Sequence, residues 1–174
     1  MERSWNTDWR KSIIVLSGGF DPVHKGHLRM FREASWLGHH VIVGLNSDEW
    51  LTRKKGKPFM CFEERKEILE AFQYVNQVLP FDDTDDTAND LIKRVYDIYN
   101  SDSHDYDYED VGHAGMLDYY KLYFANGGDR GKGNVPEISI CKELDVVMLW
   151  GVGGGKIQSS SWLIDNKKVG EKND

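Results

Sequence analysis

The chain has 174 residues, 40% of them apolar, with six Trp, eight Tyr and seven Phe, and a formal net charge of -7. That length suits one compact domain with a sizeable core, and the negative charge argues against general nucleic-acid binding, which calls for a basic excess to meet phosphodiester backbones. No apolar run reaches the roughly 18 residues that span a bilayer, and Met1-Glu2-Arg3-Ser4-Trp5 carries no signal-peptide core, so a cytoplasmic location without a membrane partner is expected.

Residues 12–17 (Ser-Ile-Ile-Val-Leu-Ser) read as a buried strand running into the loop Gly18-Gly19-Phe20-Asp21-Pro22. A helix follows, with Leu28, Phe31, Ala34, Trp36 and Leu37 on one broad apolar face and Gly38 as its stop. Residues 41–45 form a second buried strand, completing a βαβ unit, and a polar loop through Asn46-Ser47-Asp48 leads to the basic cluster Arg53-Lys54-Lys55-Gly56-Lys57. A helix over 62–73, a strand over 75–79 and an amphipathic helix over 87–99, with Leu91, Ile92, Val95, Ile98 and Tyr99 inward, continue the alternation. Residues 100–120 interrupt it. They are poor in aliphatics, lie at the end of an acidic stretch over 82–110, and read as an exposed insertion. A strand over 121–125, a short helix over 136–143 with Pro136 near its start, a strand over 145–150 and a serine-capped helix after the glycine-rich 151–155 loop complete the pattern. Cys61 and Cys141 have no metal or disulfide spacing and read as small buried apolar residues. The alternation predicts one α/β domain over 11–164, Rossmann-like and doubly wound, with a parallel sheet flanked by helices and polar termini at 1–10 and 165–174.

His24-Lys25-Gly26-His27 places two imidazoles three residues apart where the first strand gives way to a helix. Ligands of open parallel sheets bind beyond the carboxyl ends of the strands, and a helix N-terminus adds unpaired N–H groups and a positive dipole. Gly18 and Gly19 let the backbone approach a ligand, and Gly26 leaves room for a phosphate between the rings.

The run Gly18-Gly19-Phe20-Asp21-Pro22-Val23-His24-Lys25-Gly26-His27 resembles the nucleotide-binding signature of the cytidylyltransferase-like (HxGH) nucleotidyltransferase superfamily. The likeness continues through Val43-Gly44-Leu45-Asn46-Ser47-Asp48 and Phe62-Glu63-Glu64-Arg65-Lys66-Glu67-Ile68-Leu69, similar to glycerol-3-phosphate cytidylyltransferase and its relatives. It implies transfer of a nucleoside monophosphate from an NTP, with CTP favoured over ATP, to a phosphorylated polyol or sugar with release of pyrophosphate. His24 and His27 would bind the NTP phosphates and stabilise the charge that develops at the α-phosphorus, a task of positioning and electrostatics rather than covalent chemistry. Lys54, Lys55 and Lys57 match the family's mobile lysines, of which Lys55 and Lys57 are taken into the catalytic set. Arg65 joins that set in an orienting role with Asp21 as its partner, although Asp21 could equally cap the helix or form the turn.

Gly18, Gly19, Phe20, Asp21 and Gly26 are expected at the nucleotide. Asp129 and Arg130, after a strand similar to the family's second nucleotide-contacting segment, are candidates for ribose, base or phosphate. Gly155-Lys156-Ile157-Gln158-Ser159-Ser160-Ser161 is similar to the family's last motif, in which Lys156, Ser159, Ser160 and Ser161 would hold the β- and γ-phosphates. It departs from the RTEGIST form of the glycerol-3-phosphate enzymes, with Lys156 in place of their arginine, and looks closer to the heptose-phosphate type. Mg²⁺ is expected as cofactor, held by phosphate oxygens and water rather than by a protein cage, with Asp21 and Asp129 the candidates for any protein ligand. A homodimer is implied by resemblance alone. The HxGH loop is also similar to that of class I aminoacyl-tRNA synthetases, which the acidic charge and short length disfavour. A nucleotide-binding module without turnover is the alternative of a different class, against which stand His24, His27 and Lys156.

Overall fold

A computed structural model of the chain describes residues 12–100, 120–128 and 135–164. The elements, in chain order, are β1 (Ser12–Gly18), α1 (Lys25–Leu37), β2 (His40–Leu45), α2 (Asp48–Lys55), α3 (Phe62–Glu70), β3 (Gln77–Pro80), α4 (Asn89–Asn100), β4 (Lys121–Gly127), α5 (Ile138–Glu143) and β5 (Val147–Val152). The five strands form one sheet in the order β3-β2-β1-β4-β5, and every pairing is parallel. This is the doubly wound α/β fold expected from the alternation of elements.

Central parallel strands are covered on both faces, so they carry apolar residues continuously rather than alternately. In β1, Ile13, Ile14, Val15 and Leu16 are all at most 1% exposed. Alternation then sorts them. Ile14 and Leu16 pack with Val41, Val43, Phe31, Ala34, Leu37 and Leu69 on the face carrying α1 and α3. Ile13 and Val15 pack with Ile42, Phe124, Leu91, Ile92, Val95 and Cys141 on the face carrying α4 and α5. The helices change face between β3 and β4, because the chain returns from the β3 edge to lay β4 beside β1. That return creates a topological switch point. There β1 pairs with β2 as far as Gly18 and Leu45, whereas its pairing with β4 ends at Val15 and Phe124. Beyond those residues β1 and β4 no longer pair.

Several elements depart from the sequence expectation. Residues 48–55, expected as loop, form α2: Ser47 Oγ accepts from the Trp50 amide, Asp48 and Glu49 occupy the first turn, and Arg53, Lys54 and Lys55 the last. That charge order complements the helix dipole, which a reading based on apolar periodicity overlooks. The helix expected over 62–73 ends at Glu70, after which Phe72 and Val75 amides close turns on Leu69 and Phe72 carbonyls. Trp36 is 69% and Leu28 39% exposed. The buried stripe of α1 is Phe31, Ala34 and Leu37, and Trp36 lies about 140° around the helix from Phe31, where its ring takes the Arg32 guanidinium at 5.4 Å. Cys61 is exposed before α3, whereas Cys141 is buried, and burial pushes its thiol up to about 11. Residues 101–119 of the expected insertion and the polar termini lie outside the described residues. Among the described residues no helix is long and apolar enough to cross a membrane.

Gly44 sits in β2 where α4 presses closest, and a Cβ there would run into the Leu91 side chain. A Gly44→Ala chain is expected to lose about 1–3 kcal/mol of stability by overpacking, measured as a lower urea midpoint at unchanged m-value.

Candidate active site

The loop between β1 and α1 is built around two stacked imidazoles. His24 is the N-cap of α1, with extended backbone (φ -146, ψ 172). Its Nδ1 accepts from the Gly26 amide at 3.1 Å, and the His24 amide donates to His27 Nδ1 at 3.3 Å. The arrangement is a capping box written in histidines instead of serine and glutamate. The rings stack with centroids 3.7 Å apart and planes 16° from parallel. A Cβ on Gly26 would come within 2.9 Å of the His24 ring, so glycine at this position is a condition of the stack.

Because both Nδ1 atoms accept from backbone N–H groups, each neutral ring carries its proton on Nε2. Neither Nε2 has a hydrogen-bond partner among the described residues, so the loop presents two N–H donors at a helix N-terminus. Burial pushes the His27 pKa down to about 3, with the His24 and Lys55 charges adding to the effect. Burial is also the main cause that lowers His24, and the Lys55 charge lowers it further. Both imidazoles are therefore neutral at pH 7.

Phe20 supports the pair from below. It is 3% exposed, meets the His27 ring edge-on at 4.9 Å and Phe31 at 5.4 Å, and adopts φ 46 to do so. For a bulky residue that backbone region costs on the order of 1–3 kcal/mol, held by the surrounding packing. Gly18 ends β1 against the Phe20 ring, and a Cβ on Gly19 would lie 2.8 Å from Leu51.

Asp21 and Arg65 are both buried, at 1% and 0% exposure, yet they do not pair. Asp21 neither caps α1 nor meets Arg65. Its Oδ2 accepts from the Phe59 amide at 2.7 Å and its Oδ1 from the Met60 amide at 2.8 Å, fastening the loop before α3 to the histidine loop. Arg65 donates through Nε to the Met60 carbonyl at 3.2 Å, through Nη1 to the Gly19 and Asn46 carbonyls at 2.8 and 2.9 Å, and through Nη2 to Asp48 at 2.6 Å. With no exposed surface, Arg65 ties three loops together. Asp48, which the sequence reading passed over, is its carboxylate partner and also accepts from the Phe62 amide at 3.1 Å. Asp83 was missed too: it accepts from the Ser47 amide and hydroxyl and from the Asn46 side chain at 2.7–3.0 Å. Ser47-Asp48 ahead of a helix was the available signal for the first of these, whereas Asp83 had none.

Of the basic cluster, Lys55 faces the histidine loop, donating to the Asp21 carbonyl at 3.0 Å. Lys54 pairs with Asp86. Lys57 is exposed and makes no ion pair among the described residues. From the other side, Ser160 Oγ donates to the Pro22 carbonyl at 2.9 Å, and Ser159 Oγ accepts from the Trp162 amide at 3.3 Å as the cap of a short helix at 160–164. Ser161 is exposed, and Lys156 Nζ lies 5.9 Å from the Trp162 ring. The Gly153 amide donates to Glu33 at 2.8 Å, so the chain after β5 is fastened along α1. The structure thus brings Gly18, Gly19, Phe20, Asp21, His24, Gly26, His27, Lys55 and Ser160 around one loop. Asp129 and Arg130 lie outside the described residues.

Paired imidazole donors at a helix N-terminus lie beside the switch point of a five-stranded parallel sheet, with a lysine alongside. The chain belongs to the cytidylyltransferase-like family, whose model matches residues 15–121. It is similar to the glycerol-3-phosphate cytidylyltransferase of Bacillus subtilis (strain 168), 31% identical over 86 residues that make up 49% of this chain and 67% of that protein. It is also similar to the bifunctional protein HldE of Sulfurimonas denitrificans, 40% identical over 87 residues, 49% of this chain and 18% of that one. Among solved structures, the lipopolysaccharide core biosynthesis protein of Thermoplasma volcanium GSS1 shares the fold with a TM-score of 0.55 and 17% identity, over 83% of this chain and 98% of that one.

Two outcomes follow for stability. Arg65→Met leaves the Asp48 carboxylate and the Gly19 and Asn46 carbonyls without their donor, and a loss of about 3–5 kcal/mol is expected in urea unfolding. His27, whose folded pKa lies below the ordinary 6.5, binds its proton first in the unfolded chain. Its contribution is therefore complete above about pH 6.5 and declines as pH falls toward 3. The ligand-free protein should lose about 2 kcal/mol through this group between neutral pH and about pH 5, and His27→Gln should shrink that difference in urea titrations at the two pH values.

Proposed function

We propose that the chain transfers a nucleoside monophosphate, with CTP as the favoured donor, to the phosphate of a phosphorylated polyol or sugar, releasing pyrophosphate. The observation that carries this reading is the stacked His24/His27 pair, with both Nδ1 atoms tied to backbone amides and both Nε2 donors left for a ligand. CTP is preferred to ATP because relatives matched over 67% of their own length are cytidylyltransferases.

In the reaction a phosphate oxygen of the acceptor attacks the α-phosphorus of the NTP. The bond from that phosphorus to the oxygen bridging toward the β-phosphate breaks, and pyrophosphate leaves with the electron pair. Negative charge gathers on the α-phosphoryl oxygens, where the two Nε2–H groups are the donors, and preorganised donors in a partly dry site are worth far more than in water. Two anionic substrates also repel each other. Lys55, held near the loop by the Asp21 carbonyl, supplies the compensating charge, and Lys156 and Ser161 are assigned to the outer phosphates.

Mg²⁺, when bound, shields the triphosphate charge. It is assigned to phosphate oxygens and water, since both Asp21 carboxylate oxygens are already occupied by the Phe59 and Met60 amides. Among the described residues there is no cluster of three or more His, Cys, Asp or Glu arranged to hold a metal. Residues 11–164 are taken as the catalytic domain and 100–120 as an insertion in it.

The test is pyrophosphate release with CTP and, separately, ATP, each with Mg²⁺ and a panel of polyol and sugar phosphates. His24→Ala and His27→Ala are expected to lower kcat by about 10²–10³ with unchanged far-UV circular dichroism, and Lys55→Ala should cost more activity than Lys57→Ala. Full activity in both histidine variants would remove the mechanism. Because burial keeps both rings neutral and a triphosphate favours their charged forms, nucleotide binding near neutral pH should take up protons. Calorimetry in two buffers of different ionisation enthalpy reads that uptake, and identical apparent enthalpies would contradict it.

A further inference from the structure

Folded proteins contain few buried polar atoms without a hydrogen bond, because such an atom gives up water and gains nothing in return. Among the described residues they fall in two places: on Asn126, Glu137 and Asn89 toward the carboxyl end of the sheet, and on Tyr99 and Asn100, the last two residues of α4, at the opposite end. The second place adjoins a cavity of about 220 Å³. Tyr96, Tyr120, Leu122 and Leu144 give it an apolar wall, and Asn100 and Lys121 line it as well. Lys121 opens β4 and pairs in register with Ser12 at the start of β1. The cavity therefore sits at the amino end of the parallel sheet, the pole away from the histidine loop.

The walls select the charge of an occupant. The twelve-residue helix α4 has no basic residue in its last turn, so no cation of its own meets the partial negative charge of its carboxyl terminus. Asn100 stands at that terminus, and its Oδ1 accepts from no donor. Tyr120 meets the Tyr99 ring edge-on at 5.5 Å, and phenol faces, like that of Tyr96, attract cations. Lys121 does not make the cavity an anion site, because its ammonium donates to the Asp145 carbonyl at 3.0 Å and to the Asp145 carboxylate. A helix terminus, an unpaired amide oxygen and two phenol rings favour a cation that carries N–H donors and disfavour a phosphate. The apolar wall favours a ring behind that cation. An apolar cavity of about 150 Å³ takes a benzene molecule, so this larger one has room for one ring and a short chain.

We infer that the cavity at the amino end of the sheet binds a small aromatic amine as its ammonium ion, with the ring against Tyr96, Tyr120, Leu122 and Leu144 and the ammonium donating to Asn100 at the end of α4. The site is separate from the histidine loop, and it stands whether or not the chain transfers nucleotides.

The experiment is calorimetric titration of the full chain near neutral pH with phenethylamine, phenethyl alcohol and phenylacetate, which carry the same ring but differ in charge. Phenethylamine should bind about tenfold more tightly than the alcohol, phenylacetate should not bind, and saturating CTP with Mg²⁺ should leave the affinity for the amine unchanged. Asn100→Leu should lose that tenfold preference and melt at the same temperature or higher, because an unpaired buried oxygen is gone. Leu144→Trp fills the cavity and should abolish binding of the amine and the alcohol alike. The inference is overturned if phenethylamine does not bind at millimolar concentration, if phenylacetate binds as tightly as the amine, or if CTP displaces the amine. An Asn100→Leu chain that keeps the full preference for the amine, or a folded Leu144→Trp chain that still binds it, overturns the inference as well.

Discussion

A guanidinium buried at 0% exposure is tolerated only when its donors are matched, and Arg65 matches them by drawing three loops to itself. The carbonyls it engages come from the end of β1, the end of β2 and the approach to α3, and its carboxylate partner opens α2. Removing the hub would leave polar backbone stranded in the interior. In return, the hub sets where each strand stops and each loop turns, at the end of the sheet where ligands of this architecture bind. Asp21 extends the same logic outward, since its carboxylate holds the Phe59 and Met60 amides while its carbonyl holds Lys55. The positions of Lys55 and of the histidine loop are therefore coupled through one residue that need not touch a ligand.

The histidine pair shows how a protein can stack two imidazoles without creating charge repulsion. Two protonated rings stacked at 3.7 Å beside a lysine would destabilise the loop. Burial resolves this by favouring the neutral forms, and the backbone capping bonds decide the tautomer. What remains is a pair of oriented N–H dipoles whose basicity rises when negative charge arrives. The strained Phe20 backbone and the missing side chain at Gly26 serve the same end, since both let the rings lie flat against each other.

The two faces of the sheet divide the labour. Apolar packing against α1 and α3 fixes the histidine loop, whereas the α4 and α5 face combines an equally tight apolar core with a small set of unsatisfied polar atoms at its carboxyl end. Packing tight enough to order a domain would ordinarily exclude such atoms. Their persistence at one rim sets that end of the sheet apart from the rest of the core edge.

Much of this was legible in the sequence because it depends on local periodicity. Continuous apolar runs bounded by glycine announce buried parallel strands, a 3.6-residue stripe announces α4, and the His-x-Gly-His spacing marks the turn from the first strand into α1. The helix α2 escaped notice because its evidence is charge order and capping rather than an apolar stripe. Only the tertiary structure could decide the partners of the buried polar groups: that Arg65 pairs with Asp48 and not Asp21, that Lys55 rather than Lys54 or Lys57 faces the histidines, and that Asn126 and Glu137 end with unpaired atoms on one face. A sequence encodes which residues must be buried through their chemistry. Which donor meets which acceptor depends on where strands far apart in the chain come to lie side by side, and that is settled only when the sheet is assembled.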